Sequence, residues 1–187
     1  NDLFLRGTFP KIWKEANLKL IPKEGHSELN PKYRPICLLN TMGKMMEHLL
    51  NQKLTQELDR VKGISDKQHA FTKKRSCSTA LETVMTFMEK TRRKGTEWTP
   101  GIILLDVSNA FNSANWQVIL TRMRALDINE DLVRMVHSYF SDRSLRLDDK
   151  TFHLTSGVPQ GSVLGPTLWN ILIDPVAQIE LPDHCEV

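Results

Sequence analysis

The stretch Gly101-Ile102-Ile103-Leu104-Leu105-Asp106-Val107-Ser108-Asn109-Ala110-Phe111 decides how this 187-residue chain is read. A short apolar run ending on a carboxylate predicts a strand buried on both faces, with Asp106 delivered to the C-terminal end of a sheet. A carboxylate placed there is costly unless it is solvated, paired or bound to a cation. Judged by residue type alone, Asp106 could equally be the N-cap of the turn that follows.

On both sides of this stretch, short β-rich runs alternate with amphipathic helices, which predicts an α+β fold. Residues 17–22 alternate polar and apolar and stop at Pro22, and residues 30–39, with two prolines, read as extended. A helix is expected from Thr41 to about Arg60, with Met42, Met45, Leu49, Leu50, Leu54 and Leu58 on its buried face. Residues 61–78 form a polar, basic connection. Thr79-Ala80-Leu81-Glu82 then fits a capping box. The helix it opens would bury Leu81, Val84, Met85 and Met88 and break at Gly95 after a cluster of cations. Helices near 114–126 and 130–141 follow, then a hairpin over 144–156 turning at Asp148-Asp149-Lys150. A loop rich in Gly and Pro leads into a last helix over 162–173.

Composition excludes several classes. Hydrophobic residues make up 40% and charged residues 25%, too apolar for a disordered chain. No window reaches the roughly 18 apolar residues of a membrane span, and no signal peptide is visible, so no membrane association is expected. Cys37, Cys77 and Cys185 include no close pair, which argues against a disulfide framework or zinc finger and for a reducing, intracellular setting. The net charge of +3 hides an asymmetry. Residues 1–94 carry 19 basic against 10 acidic side chains, and residues 95–187 carry 6 against 12. That predicts a basic lobe suited to polyanions beside an acidic one. The chain opens on Asn1 and its last apolar stretch stops at Val187, as expected of a piece of a longer protein.

Four motifs stand in a fixed order: Tyr33-Arg34-Pro35-Ile36-Cys37-Leu38-Leu39; residues 68–76, Gln-His-Ala-Phe-Thr-Lys-Lys-Arg-Ser; the D-x-x-x-A-F form from Asp106 to Phe111; and Ser156-Gly157-Val158-Pro159-Gln160-Gly161-Ser162. In order and spacing they resemble a reverse transcriptase over nearly the whole chain. The phrases around Asp106 and Gln160 are most similar to non-LTR (LINE-like) retrotransposons of insects, especially those inserting at fixed sites such as ribosomal RNA genes. The resemblance implies a right-hand polymerase fold with a fingers-like lobe over 1–94 and an incomplete palm over 95–187. The 142–156 hairpin would return to the fingers, and the thumb would be absent. The implied activity is RNA-directed DNA polymerisation: a DNA primer extended on an RNA template from deoxynucleoside triphosphates by two-metal transfer with Mg²⁺, Mn²⁺ being the alternative. The nucleus is the compartment that target-primed synthesis implies. Two rivals are a decayed or domesticated relative that only binds nucleic acid and a group II intron-type maturase.

The same resemblance assigns roles. Asp106 would be the catalytic metal ligand, with the Val107 carbonyl beside it. Phe111 would lie under the sugar of the incoming nucleotide and leave no room for a 2′-hydroxyl; taken alone it reads as core. Gln160 would contact that nucleotide, in a loop that Gly157, Pro159 and Gly161 restrict and open to close approach. Arg34 would hold triphosphate oxygens. Lys73, Lys74 and Arg75 would face the template backbone, although Lys74 stands where relatives have glycine and Cys77 where they often have threonine. Gly43-Lys44 lacks the upstream glycine of a phosphate loop, Ser162 lacks a hydrolase setting, and the six histidines show no metal spacing. Asp174, before Pro175, reads as a helix stop. No Asp-Asp pair follows Asp149, so the second palm carboxylates are missing and the isolated piece is expected to be inactive.

Overall fold

β1 (Glu15–Pro22) and β2 (Tyr33–Leu39) pair antiparallel from Ala16↔Leu39 to Pro22↔Tyr33. Pro22, which has no N–H to give a ladder, is the last residue of its strand. The computed structural model describes residues 2–23, 32–93, 99–182 and 185. In it a distant hairpin, β3 (Ser144–Leu147) and β4 (Lys150–His153), extends the sheet at the other side of β1. β3 runs parallel to β1 from Glu15↔Ser144 to Asn17↔Arg146, giving the order β2-β1-β3-β4. The hairpin turns at Asp148-Asp149, with Asp148 in the left-handed region that Asp tolerates (φ 51°).

The remaining elements are helical: α1 (Asp2–Leu5), a 3-10 turn at Lys11–Trp13, α2 (Thr41–Val61), α3 (Cys77–Arg93), α4 (Ala110–Ser113), α5 (Trp116–Ala125), α6 (Glu130–Phe140) and α7 (Gly165–Ala177). Three of them are capped by an asparagine side chain. Asn40 accepts from Met42 N–H at 2.9 Å, Asn115 from Val118 N–H at 3.1 Å and Asn129 from Asp131 N–H at 2.8 Å. One core joins Met46, Leu50, Leu54 and Leu58 of α2 to the inner faces of α5, α6 and α7, with Phe9 beneath them. No described helix is long and apolar enough to cross a membrane.

Several expectations need correction. The α2 stripe is rotated: Gly43, Met46, Glu47, Leu50, Leu54 and Leu58 are buried, whereas Met42, Met45 and Leu49 are exposed. Gly43 sets this angle, because a Cβ there would lie 3.1 Å from Trp13 Cβ, so the helix backbone sits directly on the 3-10 turn. α3 buries none of its residues, leaving Leu81, Val84 and Met85 exposed. Its capping pair is also earlier than predicted: Ser76 N–H donates to Thr79 Oγ1 (2.9 Å) and Thr79 N–H to Ser76 Oγ (3.3 Å). The break expected at Gly95 lies outside the described residues. Finally, residues 101–107 join no strand ladder, and Ile103, Leu104 and Leu105 are 88%, 90% and 86% exposed. Backbone becomes a strand only where another strand supplies partners, and the outer edge of β2 is occupied by a loop described below.

α7 begins three residues later than expected and runs through Pro175 to Ala177. Asp174 is therefore not a helix stop. It is buried, and it accepts a hydrogen bond from Ser65 N–H (2.6 Å) and another from the Gln178 amide.

The stability contrast between the two apolar stripes is measurable. Leu54→Ala, at 0% exposure, is expected to cost about 2–5 kcal/mol in urea unfolding of this chain. Leu81→Ala, at 64% exposure, is expected to change stability by about 0.5 kcal/mol or less. Equal losses would put α3 in the core.

Candidate functional site

Residues 156–164 join β4 to α7, and their backbone is fastened on two sides. On the first, Gly157 N–H donates to the Ala114 carbonyl and Val158 N–H to the Phe111 carbonyl, both at 2.7 Å. The Trp116 indole N–H donates back to the Gly157 carbonyl at 2.7 Å, its ring stacked on Phe140. Gly157 has φ +88°, and a Cβ there would stand 2.8 Å from the Asn112 carbonyl oxygen, so only glycine fits. On the second side, Cys37 N–H on the outer edge of β2 donates to the Gln160 carbonyl at 2.8 Å. Gly161, at φ +112°, approaches so closely that a Cβ would be 2.7 Å from the Cys37 carbonyl oxygen. The loop thus ties the segment after Asp106 to the strand bearing Arg34.

Below the loop lies a carboxylate that the sequence reading passed over. Glu47 on α2 is 1% exposed. Its Oε2 accepts from the Ser162 hydroxyl (2.7 Å), Val163 N–H (2.7 Å) and Leu164 N–H (3.1 Å). These donors precede α7, so Glu47 satisfies amides at the helix start from another helix and sits where the helix dipole favours negative charge. Ser162 has one proton, given to Glu47; its oxygen therefore accepts from Gly165 N–H (2.9 Å) and from the Tyr139 hydroxyl (2.8 Å). Burial pushes the Tyr139 phenol well above its usual range, which keeps it a donor. Behind its ring, at 4.1 Å, lies the guanidinium of Arg143, itself 1% exposed. Burial likewise raises the Cys37 thiol.

Of the sequence-predicted residues, Gln160 and Gly161 belong to this loop and Phe111 bonds to it through its carbonyl. Phe111 is half-buried, its ring 6.1 Å from Phe71 and 5.9 Å from Trp169. Gln160 is half-buried and Gly161 exposed. Arg34 is exposed on β2, three residues or about 10 Å along the strand from Cys37. Lys73 and Lys74 are exposed, and Lys74, where the resemblance leads one to expect glycine, takes φ 63°. The local backbone thus keeps the left-handed shape that glycine adopts without strain. Arg75 departs from expectation. Its guanidinium is spent inside the loop, donating to the Ser65 and Gln68 carbonyls (2.8 Å each) and to Asp66 (2.7 Å). It shapes the basic loop, while Lys73 and Lys74 face solvent.

α7 anchors that loop from the other end, where Gln68 Nε2 donates to Asn170 Oδ1 (3.0 Å) and Asn170 Nδ2 to the Ala70 carbonyl (2.9 Å). All four motifs, far apart in sequence, therefore meet at α7 and the loop before it. Comparison with known proteins bears on what this arrangement is. Residues 21–184 match the family model described as "Reverse transcriptase (RNA-dependent DNA polymerase)".

The chain belongs to the reverse transcriptase family. It is 31% identical, over its whole length, to the RNA-directed DNA polymerase from mobile element jockey of Drosophila melanogaster, covering 20% of that protein. It is 32% identical over 91% of its length to the Pol polyprotein of type-1 retrotransposable element R1 of Bradysia coprophila, covering 17%. For the R2 element polyprotein of Popillia japonica the figures are 25% identity over 91% of the chain and 24% of the relative. This reverse transcriptase chain thus spans about a fifth of the length of these insect retrotransposon relatives.

Asp106 and Val107 lie on the exposed, unpaired stretch before α4. A carboxylate and a carbonyl are hard oxygen donors of the kind Mg²⁺ takes, and one or two carboxylates plus substrate phosphates are its usual set. Among the described residues no group of three or more His, Cys, Asp or Glu gathers to hold a cation. The pair fits a share of a magnesium site, completed by substrate and water. Glu47, Tyr139, Arg143 and Asn170 escaped the sequence reading, yet Glu47 had a signal: it shares the buried face with Gly43, Leu50 and Leu54, where an unpartnered charge is not tolerated.

Glycine at the β2 contact is testable by unfolding. Gly161→Ala is expected to cost about 1–3 kcal/mol through strain and overlap with Cys37. Gly101→Ala, with nothing within 4 Å of the added carbon, is expected to be neutral or stabilising by at most about 1 kcal/mol. A Gly161→Ala chain as stable as its parent would mean the loop is not pinned to β2.

Proposed function

We propose that this chain forms the nucleotide-binding part of an RNA-directed DNA polymerase of a non-LTR retrotransposon, extending a DNA primer on an RNA template from deoxynucleoside triphosphates. The observation that carries the reading is the convergence of the four motifs on α7 and the loop before it. An incoming nucleotide would meet groups from three of them at once. Arg34 would grip triphosphate oxygens through paired guanidinium donors. Gln160, its backbone clamped by Cys37, would offer its carboxamide to the nucleotide, and Gly161 would present bare backbone. Phe111, braced by Phe71 and Trp169, would press on the sugar and exclude a 2′-hydroxyl. Lys73 and Lys74 would neutralise template phosphates without regard to sequence.

Asp106 and the Val107 carbonyl would hold Mg²⁺, or Mn²⁺ in its place. The chemistry supplied by bound divalent cations is activation of the primer hydroxyl and stabilisation of the departing pyrophosphate. What the chain itself contributes is the placement of nucleotide, sugar and template against that carboxylate.

Two substitutions in the polymerase that contains this chain test the assignment. Asp106→Asn keeps size but removes the charge, so primer extension is expected to fall by orders of magnitude with template binding retained. Phe111→Ala opens space beside the sugar, so ribonucleotides are expected to be incorporated while deoxynucleotide activity persists. A folded, active Phe111→Ala enzyme with unchanged sugar discrimination would return Phe111 to a packing role.

A further inference from the structure

We infer that Glu47 is the positioning residue of the Gln160 loop: a buried carboxylate, remote from the nucleotide, that sets where Gln160 stands by gathering Ser162, Val163 and Leu164. The term nucleotide here rests on the polymerase reading; the mechanical claim does not. The loop between Gly157 and Leu164 contains few fixed points. Its first end hangs on α4 and α5, and its middle is held to β2 by the backbone bond from Cys37 N–H to the Gln160 carbonyl. Only two residues separate Gln160 from Val163, so the position of the Val163 amide closely restricts the Gln160 carbonyl.

Glu47 fixes that position with three hydrogen bonds to one oxygen, and bonds to a charged acceptor are the strong ones. The Ser162 hydroxyl is fixed in turn by the Tyr139 phenol, whose ring rests against buried Arg143. The carboxylate is built into the helix core, since Met46 and Leu50 flank it on α2 and are themselves buried. Glu47 thus carries the rigidity of the core to a half-buried glutamine at the surface. A helix cap alone would need only the amides of Val163 and Leu164. The hydroxyl bond, and the Tyr139 support behind it, pull on the residue directly after the Gly161–Cys37 contact.

Residue-resolved amide hydrogen exchange on the 187-residue chain reads this without requiring polymerase activity. In Glu47→Gln, exchange is expected to accelerate about tenfold or more at Val163 and Leu164, as for loss of a bond to a charged group. It is also expected to accelerate at Cys37, the donor to the Gln160 carbonyl, while Leu54 and Met135 keep their parent rates. Glu47→Asp, retaining charge on a shorter stem, is expected to restore part of the protection. Acceleration at 163 and 164 with Cys37 unchanged would make Glu47 a helix cap and overturn the proposal. If Glu47→Gln loosens the whole chain, Ser162→Ala is read at Cys37 in the same way, and global unfolding of that variant too would also overturn it. In the polymerase containing the chain, Glu47→Gln is expected to raise the deoxynucleotide KM about tenfold with primer–template affinity unchanged. A polymerase that proves inactive in its parent form would refute the polymerase reading and leave the exchange result standing.

Discussion

A buried carboxylate that accepts three hydrogen bonds is the constraint on which the rest of this structure turns. Glu47 could not occupy the inner face of α2 unless donors met it there, since an unpaired buried charge costs several kcal/mol. The donors come from Ser162, Val163 and Leu164, which fixes where α7 starts. Once α7 is fixed, Trp169 meets Phe111, Asn170 clasps the loop at Gln68 and Ala70, and Asp174 takes the Ser65 amide. Segments drawn from residues 33–39, 65–76, 106–114 and 156–164 thus meet around α7 and the loop that Glu47 holds.

This arrangement divides labour between a rigid interior and an exposed working face. The groups to which the proposed function gives chemistry, Asp106, Arg34, Lys73 and Lys74, are exposed. The groups that brace the loops between them are buried or tied down: Glu47, Tyr139, Arg143, Val158 and the Arg75 guanidinium. Aromatic packing extends the same logic. Phe9 meets Tyr139 edge-on and Trp116 stacks on Phe140, so α6 carries the load of both the carboxylate network and the Gly157 contact.

Local pattern made much of the fold legible. Pro22 and the alternation of residues 17–22 located β1, Asp148-Asp149 located the β3–β4 turn, and the apolar runs near 114–126 and 130–141 located α5 and α6. Periodicity misled where it had to choose between faces. Met42, Met45 and Leu49 look as apolar as Met46, and the tertiary contacts of the inward row, Gly43 against Trp13 among them, are not visible in the sequence. Apolar content misled at Ile102–Leu105, because a run of this kind becomes a strand only where another strand supplies partners. The candidate site was legible as four motifs, but its support was not. Glu47 needed three donors more than a hundred residues away, and Arg75 looked like a template contact until its three loop partners were in view.

The most direct test of this account is a double-mutant cycle between Glu47→Gln and Gln160→Ala, read as the deoxynucleotide KM of the polymerase that contains this chain. If Glu47 acts by placing Gln160, its loss does little once the Gln160 carboxamide is gone, and the cycle closes with a coupling energy of about 0.5–3 kcal/mol. Strictly additive effects, with Glu47→Gln equally damaging in both backgrounds, would contradict it.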